Sequence, residues 1–412
     1  MKILISAAEA SSDVHGAELL KALKKELGPE VPLYSFGVGG AHLQAAGLET
    51  VVDAKDLLVM GFVEILGHLP KIFRSLNKVV QAAVQSRPDV AVVLDYPEFH
   101  FRLAQRLKHM GVPVVYYIPP KLWVWRKKRA KALKKLFHKI LCIFPFEQAF
   151  YEKLNVPVTY IGNPLIDELP LSLSVVEARQ QVSLDESDRV LVVMIGSRES
   201  EWKHHLEIFL DTANLLSEKL RALGQLGTDE TLKILMPFPM TSPIESLKVR
   251  VAQWAQKKDP SGKSLEIRIS QGDSAVCLVA ADAGLIKSGT STLEAALLQC
   301  PHVIAYKPGV TSGFIFKHLI RYQGPVGLVN LVSGWSAGQP YLVSEYLCEA
   351  VKPESMAQEL VSLISPTEKC ATMMQGFNRL IKLMQSPDAT VSPSVLAARE
   401  IIALVKSQPI RE

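Results

Sequence analysis

The chain has little that could staple or anchor it. Only five cysteines occur in 412 residues, at Cys142, Cys277, Cys300, Cys348 and Cys370. None stands in a C-x-x-C pair, which argues against a disulfide framework and structural zinc and favours a reducing, cytoplasmic compartment. No apolar run approaches the ~20 residues that a bilayer-spanning helix needs. Met1-Lys2-Ile3-Leu4-Ile5 runs straight into an expected strand, without a signal-peptide pattern. No Asp-x-Asp motif sits at an expected strand end, so neither a metal nor another cofactor is expected. Acid is missing from one long stretch. Between Phe99 and Phe146 there are twelve Lys and Arg and no Asp or Glu. The chain as a whole is +5, so the remainder is acidic, at −7. A block this one-sided points to an anionic partner.

What is present is ordinary in bulk, with 48% hydrophobic and 21% charged residues. The length exceeds what one core supports, so two domains are expected. Short β-branched runs at Lys2–Ala7, Val31–Phe36, Asp89–Leu94 and Val112–Ile118 alternate with helical patterns, the first over Ala17–Leu27. A linker follows around Pro170–Ser174. Strands are then expected at Arg189–Ile195, Leu232–Met236, Leu265–Ser270, Ala283–Lys287, His302–Tyr306 and Val326–Val329. This alternation predicts an α/β protein with two Rossmann-like, doubly wound halves. In such sheets ligands bind off the carboxyl ends of strands, so the two halves are expected to face each other across a cleft.

One stretch organises the chain. Ser288-Gly289-Thr290-Ser291-Thr292-Leu293-Glu294 follows a buried-strand pattern and opens a helical one. Strand, small polar turn and helix form a common phosphate cradle, with backbone N–H groups and hydroxyls aimed at the anion. Glu294 is placed to accept ribose hydroxyls. The competing reading is a Ser/Thr helix cap. Gly196-Ser197-Arg198 ends a strand of the same half, and Arg198 brings a permanent, forked donor suited to a diphosphate. In the first half, Asp95-Tyr96-Pro97 follows the strand ending at Leu94, and Glu9, Ser11 and Asp13 follow the first strand. Carboxylates meeting there suit general-base chemistry; the competing reading makes Asp95 a helix cap. The cluster Gly37-Val38-Gly39-Gly40 resembles a dinucleotide-binding turn, but its spacing is not G-x-G-x-x-G.

Leu57–Gly67 is the most apolar segment of the first half, and Lys71, Arg74 and Lys78 follow it. It suits a core helix or one partly open to lipid. Pro119–Arg129 sets Trp123 and Trp125 beside Arg126, Lys127, Lys128 and Arg129. Aromatics are not interleaved as stacking platforms, so nucleic acid is discounted in favour of a membrane interface or a solvated helix face.

These motifs together resemble the lipid-A-disaccharide synthase family of inverting GT-B-type glycosyltransferases, across nearly the whole chain. Its most specific parts are Val59-Met60-Gly61-Phe62-Val63-Glu64-Ile65-Leu66, Trp123-Val124-Trp125-Arg126, Gly196-Ser197-Arg198 and Ser288–Glu294. There are departures: Ser12 stands for Gly, His100 for Asn and Ile195 for Pro. The Ser333–Gln339 segment looks longer and lacks the family's Arg. The resemblance implies a donor, UDP-2,3-diacylglucosamine, an acceptor, 2,3-diacylglucosamine 1-phosphate (lipid X), and a β-1′,6-linked disaccharide 1-phosphate product. Asp95 is then the expected base, with Asp13 the alternative and Glu9 and Ser11 beside them. Arg198 with Gly196, Ser197, Ser288, Gly289, Thr290, Glu294 and Asn330 would hold the nucleotide. Val59, Met60, Phe62, Trp123, Trp125 and Arg126–Arg129 would face lipid, on the cytoplasmic side of the inner membrane. Expected boundaries are 1–168 for an acceptor- and membrane-facing domain, with a helix at about 390–412 packed back on it, and 185–385 for a UDP-sugar domain. A homodimer is also admissible. The rival readings are a peptidoglycan glycosyltransferase, which should carry a Gly-Gly-His turn absent here, a UDP-N-acetylglucosamine 2-epimerase, and a non-enzymatic membrane-surface protein.

Overall fold

The computed structural model describes residues 1–57, 64–120, 127–258, 265–308, 324–334, 340–388 and 390–408; of 10, 64–69 and 127–131 it describes the backbone alone. The chain divides into two compact units, Met1–Asp167 with Leu383–Glu412, and Glu168–Lys382.

The first unit is built on seven strands: β1 (Lys2–Ala7), β2 (Tyr34–Gly39), β3 (Glu49–Asp53), β4 (Val90–Leu94), β5 (Val114–Tyr117), β6 (Lys139–Cys142) and β7 (Val158–Tyr160). They lie in the order β3-β2-β1-β4-β5-β6-β7, all parallel. β4 is buried along its whole length, which is why it reads Val-Ala-Val-Val-Leu without alternation. The chain returns to this unit at its end. The helix Pro393–Lys406 packs on the helix Ala10–Leu27, with Arg399 2.7 Å from Glu26. Lys139 pairs with Glu400, and the Asn163 amide donates to the Met384 carbonyl at 2.8 Å.

The second unit carries β8 (Val190–Met194), β9 (Leu232–Phe238), β10 (Leu265–Gln271), β11 (Ala283–Lys287), β12 (His302–Tyr306) and β13 (Glu345–Leu347), ordered β10-β9-β8-β11-β12-β13 and again parallel. In both units the strand order reverses beside the first strand, between β1 and β4 and between β8 and β11. Such a reversal splays the flanking connections to opposite faces and opens a crevice at the carboxyl ends of the two strands.

Several expectations shift. The first helix begins at Ala10 rather than Ala17, so Ser11 and Asp13 lie in its first turns, not in a loop. β2 starts at Tyr34 and contains Gly37 and Gly39, so the glycine cluster forms strand and not a dinucleotide turn. A Cβ at Gly37 would lie 2.0 Å from the Ile5 carbonyl oxygen, so the glycine there serves close strand approach. Val326–Val329 is no strand; it leads into the helix Leu328–Val332, and the sheet edge is β13 instead. A short buried apolar run has the same composition in either form.

Candidate active site

In the second unit the switch point holds a pocket of about 540 Å³. Its lining includes Gly196, Ser197 and Arg198 from the end of β8, and Lys287, Gly289, Thr290, Ser291 and Glu294 from the end of β11. Pro237 and Phe238 at the end of β9, Pro239 after it, Gly272 and Ser274 after β10, and Met194 and Glu201 complete the lining among the described residues. Two motifs almost a hundred residues apart thus meet because β8 and β11 are hydrogen-bonded neighbours.

The backbone at Gly196 is specific. Its φ is +107°, and a Cβ there would fall 2.2 Å from Glu201 Oε2. Only glycine lets the Glu201 carboxylate fold back to accept the Arg198 amide at 3.3 Å, while Trp202 Nε1 donates to the Gly196 carbonyl at 2.9 Å. The turn is held from below, and the Arg198 side chain is exposed. Its guanidinium has no ion-pair partner among the described residues. At the other motif, Thr290 takes the cap position of the helix Ser291–Leu297, yet its hydroxyl makes no capping bond. Thr292 Oγ1 instead donates to the Gly289 carbonyl at 2.9 Å. Thr290 therefore keeps its hydroxyl for the pocket, which weakens the cap reading.

Ser288 and Asn330 are placed differently. Ser288 is buried and donates to the Val326 carbonyl at 3.1 Å. Asn330 is fully buried, and its amide donates to the Val343 carbonyl and to Glu345 at 2.8 Å while accepting the Val343 N–H at 2.9 Å. Neither lines the pocket. Glu345 also accepts the Val326 and Gly327 amides, at 2.8 and 2.9 Å, and burial holds its pKa above the usual carboxylate value despite those donors. These residues brace the Val326–Asn330 segment against Val343 and Glu345. Sequence reading missed Lys287 and Glu201, whose side chains meet at 2.8 Å in the pocket wall. Their signal was position alone: one closes a strand, the other sits one turn into the helix after the neighbouring strand.

In the first unit Asp95 stands at the β4 end of the switch point. It and Tyr96 have left-handed backbone, with φ of +51° and +39°, a strained conformation for non-glycine residues that persists only where surroundings hold it. The hold is visible. The Asp95 carbonyl accepts from His100 Nδ1 at 2.6 Å and from the Tyr116 hydroxyl at 2.8 Å. Ser12 Oγ donates to Asp95 Oδ2 at 3.1 Å. A carbonyl only accepts, so His100 carries its proton on Nδ1, and Nε2 accepts from Ser6 Oγ at 2.8 Å. Burial lowers the His100 pKa to about 4, which keeps the ring neutral. Two departures noted in the sequence, Ser12 and His100, thus both bear on Asp95.

Asp13 differs. It is buried, and its carboxylate accepts the Gly40, His42 and Leu43 amides at 2.6, 2.9 and 3.2 Å. It caps the helix Ala41–Ala45 across from β2. Glu9 stands exposed at the cap position of the helix Ala10–Leu27 without a side-chain capping bond, and its charge helps raise the Tyr96 pKa, after burial. Ser11 is exposed on that helix. The lipid-facing expectations at Val59, Met60, Phe62, Trp123, Trp125 and Arg126 lie outside the described residues. Lys127, Lys128 and Arg129 fall on the helix Lys127–Leu136, of which only the backbone is described there.

The chain is similar to known proteins over nearly its whole length. The family model described as lipid-A-disaccharide synthetase matches residues 3–398. A lipid-A-disaccharide synthase from Haemophilus influenzae is 34% identical over 388 residues, covering 93% of either chain. One from Anaeromyxobacter dehalogenans is 36% identical over 363 residues, 88% of either chain. Among solved structures, a UDP-GlcNAc 2-epimerase from Neisseria meningitidis bound to UDP-GlcNAc aligns with a TM-score of 0.58 at 12% identity, over 99% of this chain and all of that one. MurG of Acinetobacter baumannii aligns at 0.53 and 13% identity, over 99% of each. At those identities the structural likeness speaks for the fold alone.

Proposed function

Because this chain belongs to the lipid-A-disaccharide synthase family and is a glycosyltransferase of lipid A biosynthesis, we propose a division of its reaction between the two units. The second unit holds the UDP of UDP-2,3-diacylglucosamine, and the first supplies the base for the acceptor, 2,3-diacylglucosamine 1-phosphate. Asp95 takes the proton of the acceptor 6-hydroxyl. The freed oxygen bonds to the donor C1 from the face opposite the leaving group. The C1–O bond to the diphosphate breaks, its electron pair leaves with UDP, and inversion gives the β-1′,6 link. Charge rises on the departing diphosphate, where Arg198, the Thr290 hydroxyl and the turn's backbone amides bear it. Glu294 suits the ribose.

One observation supports this best: the Gly196–Arg198 and Gly289–Glu294 segments converge on one pocket at a switch point, with an exposed guanidinium and an unused threonine hydroxyl. The test is incubation with both diacylated substrates while following UDP release. Release that needs the acceptor supports the reading; release from the donor alone, or none, contradicts it.

Both substrates carry acyl chains, so we place the enzyme peripherally on the cytoplasmic face of the inner membrane. Among the described residues no helix is long and apolar enough to cross a bilayer. The acid-free block supplies attraction of about 1 kcal/mol per basic residue near an anionic surface. Within it, Arg102 lies 5.0 Å over the ring of Phe73, which is 42% exposed. Replacing Arg126, Lys127, Lys128 and Arg129 with Gln should release the protein from anionic vesicles at lower salt. Equal sedimentation of parent and variant at every salt concentration would refute this face.

A further inference from the structure

Lys287 ends β11 and Arg198 follows β8, so two cations enter the pocket from adjacent strand ends. Their circumstances differ. Arg198 is exposed, whereas the Lys287 side chain is 17% exposed and its Nζ lies 2.8 Å from Glu201 Oε1, itself 21% exposed. Lys287 also sits 5.6 Å over the Tyr306 ring. That ring stacks on His205, whose Nδ1 donates to the Glu201 carbonyl and whose Nε2 accepts the Lys307 amide. The second oxygen of Glu201 accepts the Arg198 amide. Glu201 therefore stays anchored whether or not Lys287 is paired with it.

We infer that Lys287 is a second diphosphate-binding cation, held ready by Glu201 and released to the phosphate when the nucleotide enters. This rests on the nucleotide site proposed above. Among the described residues four charged side chains line the pocket, Arg198 and Lys287 against Glu201 and Glu294, so a diphosphate brings negative charge to a lining that is neutral overall. A partly buried ion pair is worth little net, because desolvation offsets most of its attraction. Exchanging a carboxylate for a phosphate oxygen keeps the Lys287 ammonium paired, and the Glu201 carboxylate keeps the Arg198 amide. The exchange gains most as the C1–O bond breaks, because the diphosphate acquires a further negative charge. Tyr306 keeps the ammonium against an aromatic face on the strand beside β11, which limits where it can swing.

The test is calorimetric titration with UDP of the parent, Lys287→Met, Lys287→Arg and Glu201→Gln, each checked for its unfolding midpoint. Lys287→Met should bind UDP about 10- to 100-fold more weakly, as expected for a lost hydrogen bond to a charged group. Lys287→Arg should keep most of the affinity. Glu201→Gln should bind as tightly as the parent or more tightly, since the competing anion is gone. If Lys287→Met and Glu201→Gln weaken UDP alike, the pair is a structural brace and the inference fails. It also fails if Lys287→Met binds UDP as the parent does. A parent protein that does not bind UDP at all overturns the nucleotide site itself, a result distinct from either.

Discussion

The two switch points are built alike and furnished differently. In the second unit, residues that stood out in the sequence keep spare donors: the exposed Arg198 guanidinium and the Thr290 hydroxyl. In the first, the acids that stood out divide. Asp13 spends its carboxylate on three backbone amides, while Asp95 is itself held, through its carbonyl and one carboxylate oxygen. Residue type and position do not separate these cases; the kind of hydrogen-bond partner does. A buried carboxylate with every partner supplied by the backbone is a fastening. One held in strained backbone by neighbouring side chains fits the base proposed for Asp95.

The sharpest break of this comparison is a pair of substitutions. Asp95→Asn keeps the shape and the Ser12 contact but cannot take a proton, so turnover should fall about 10²–10⁴-fold. Asp13→Asn loses an acceptor oxygen among buried amides, so urea unfolding should show about 1–3 kcal/mol of lost stability instead. Near-normal turnover in Asp95→Asn, with a loss confined to Asp13→Asn, would exchange the two roles.

A smaller effect sharpens the comparison through one buried histidine in each unit. Burial lowers both His100 and His302 to about 4. Between that value and the unfolded value near 6.5 the unfolded chain binds the extra proton, so stability is full above pH 6.5 and is lost as pH falls toward 4. Each histidine should contribute about 3 kcal/mol to that loss. The two differ at neutral pH. His100 satisfies partners at both nitrogens, whereas His302 Nε2 makes no hydrogen bond among the described residues and its ring stacks 5.6 Å from Phe377. His302→Phe should therefore cost less at pH 7 than His100→Phe and should flatten the acid limb of the unfolding curve. A steeper limb in His302→Phe would contradict this.

The parts of the fold legible in the sequence were the buried central strands, because parallel strands covered on both faces read as unbroken apolar runs. β3, β6, β7 and β13 escaped because they are three to five residues long and lack that signature. The pocket motifs were legible because glycine, hydroxyl and arginine at strand ends have few other uses. The bracing role of Asn330 and the capping role of Asp13 were not, since each depends on partners brought in by the fold. The partners of Asn330 lie 13 and 15 residues away, and those of Asp13 lie 27 to 30 away. Lys287 was invisible for the same reason: its meaning comes from Glu201, 86 positions earlier.

The division of labour between the units is tested most directly by titrating UDP into Arg198→Ala and Asp95→Asn beside the parent. Loss of a charge-assisted contact predicts binding at least about tenfold weaker in Arg198→Ala, with Asp95→Asn indistinguishable from the parent. Equal weakening in both variants, or parent-like binding in Arg198→Ala, would contradict the account.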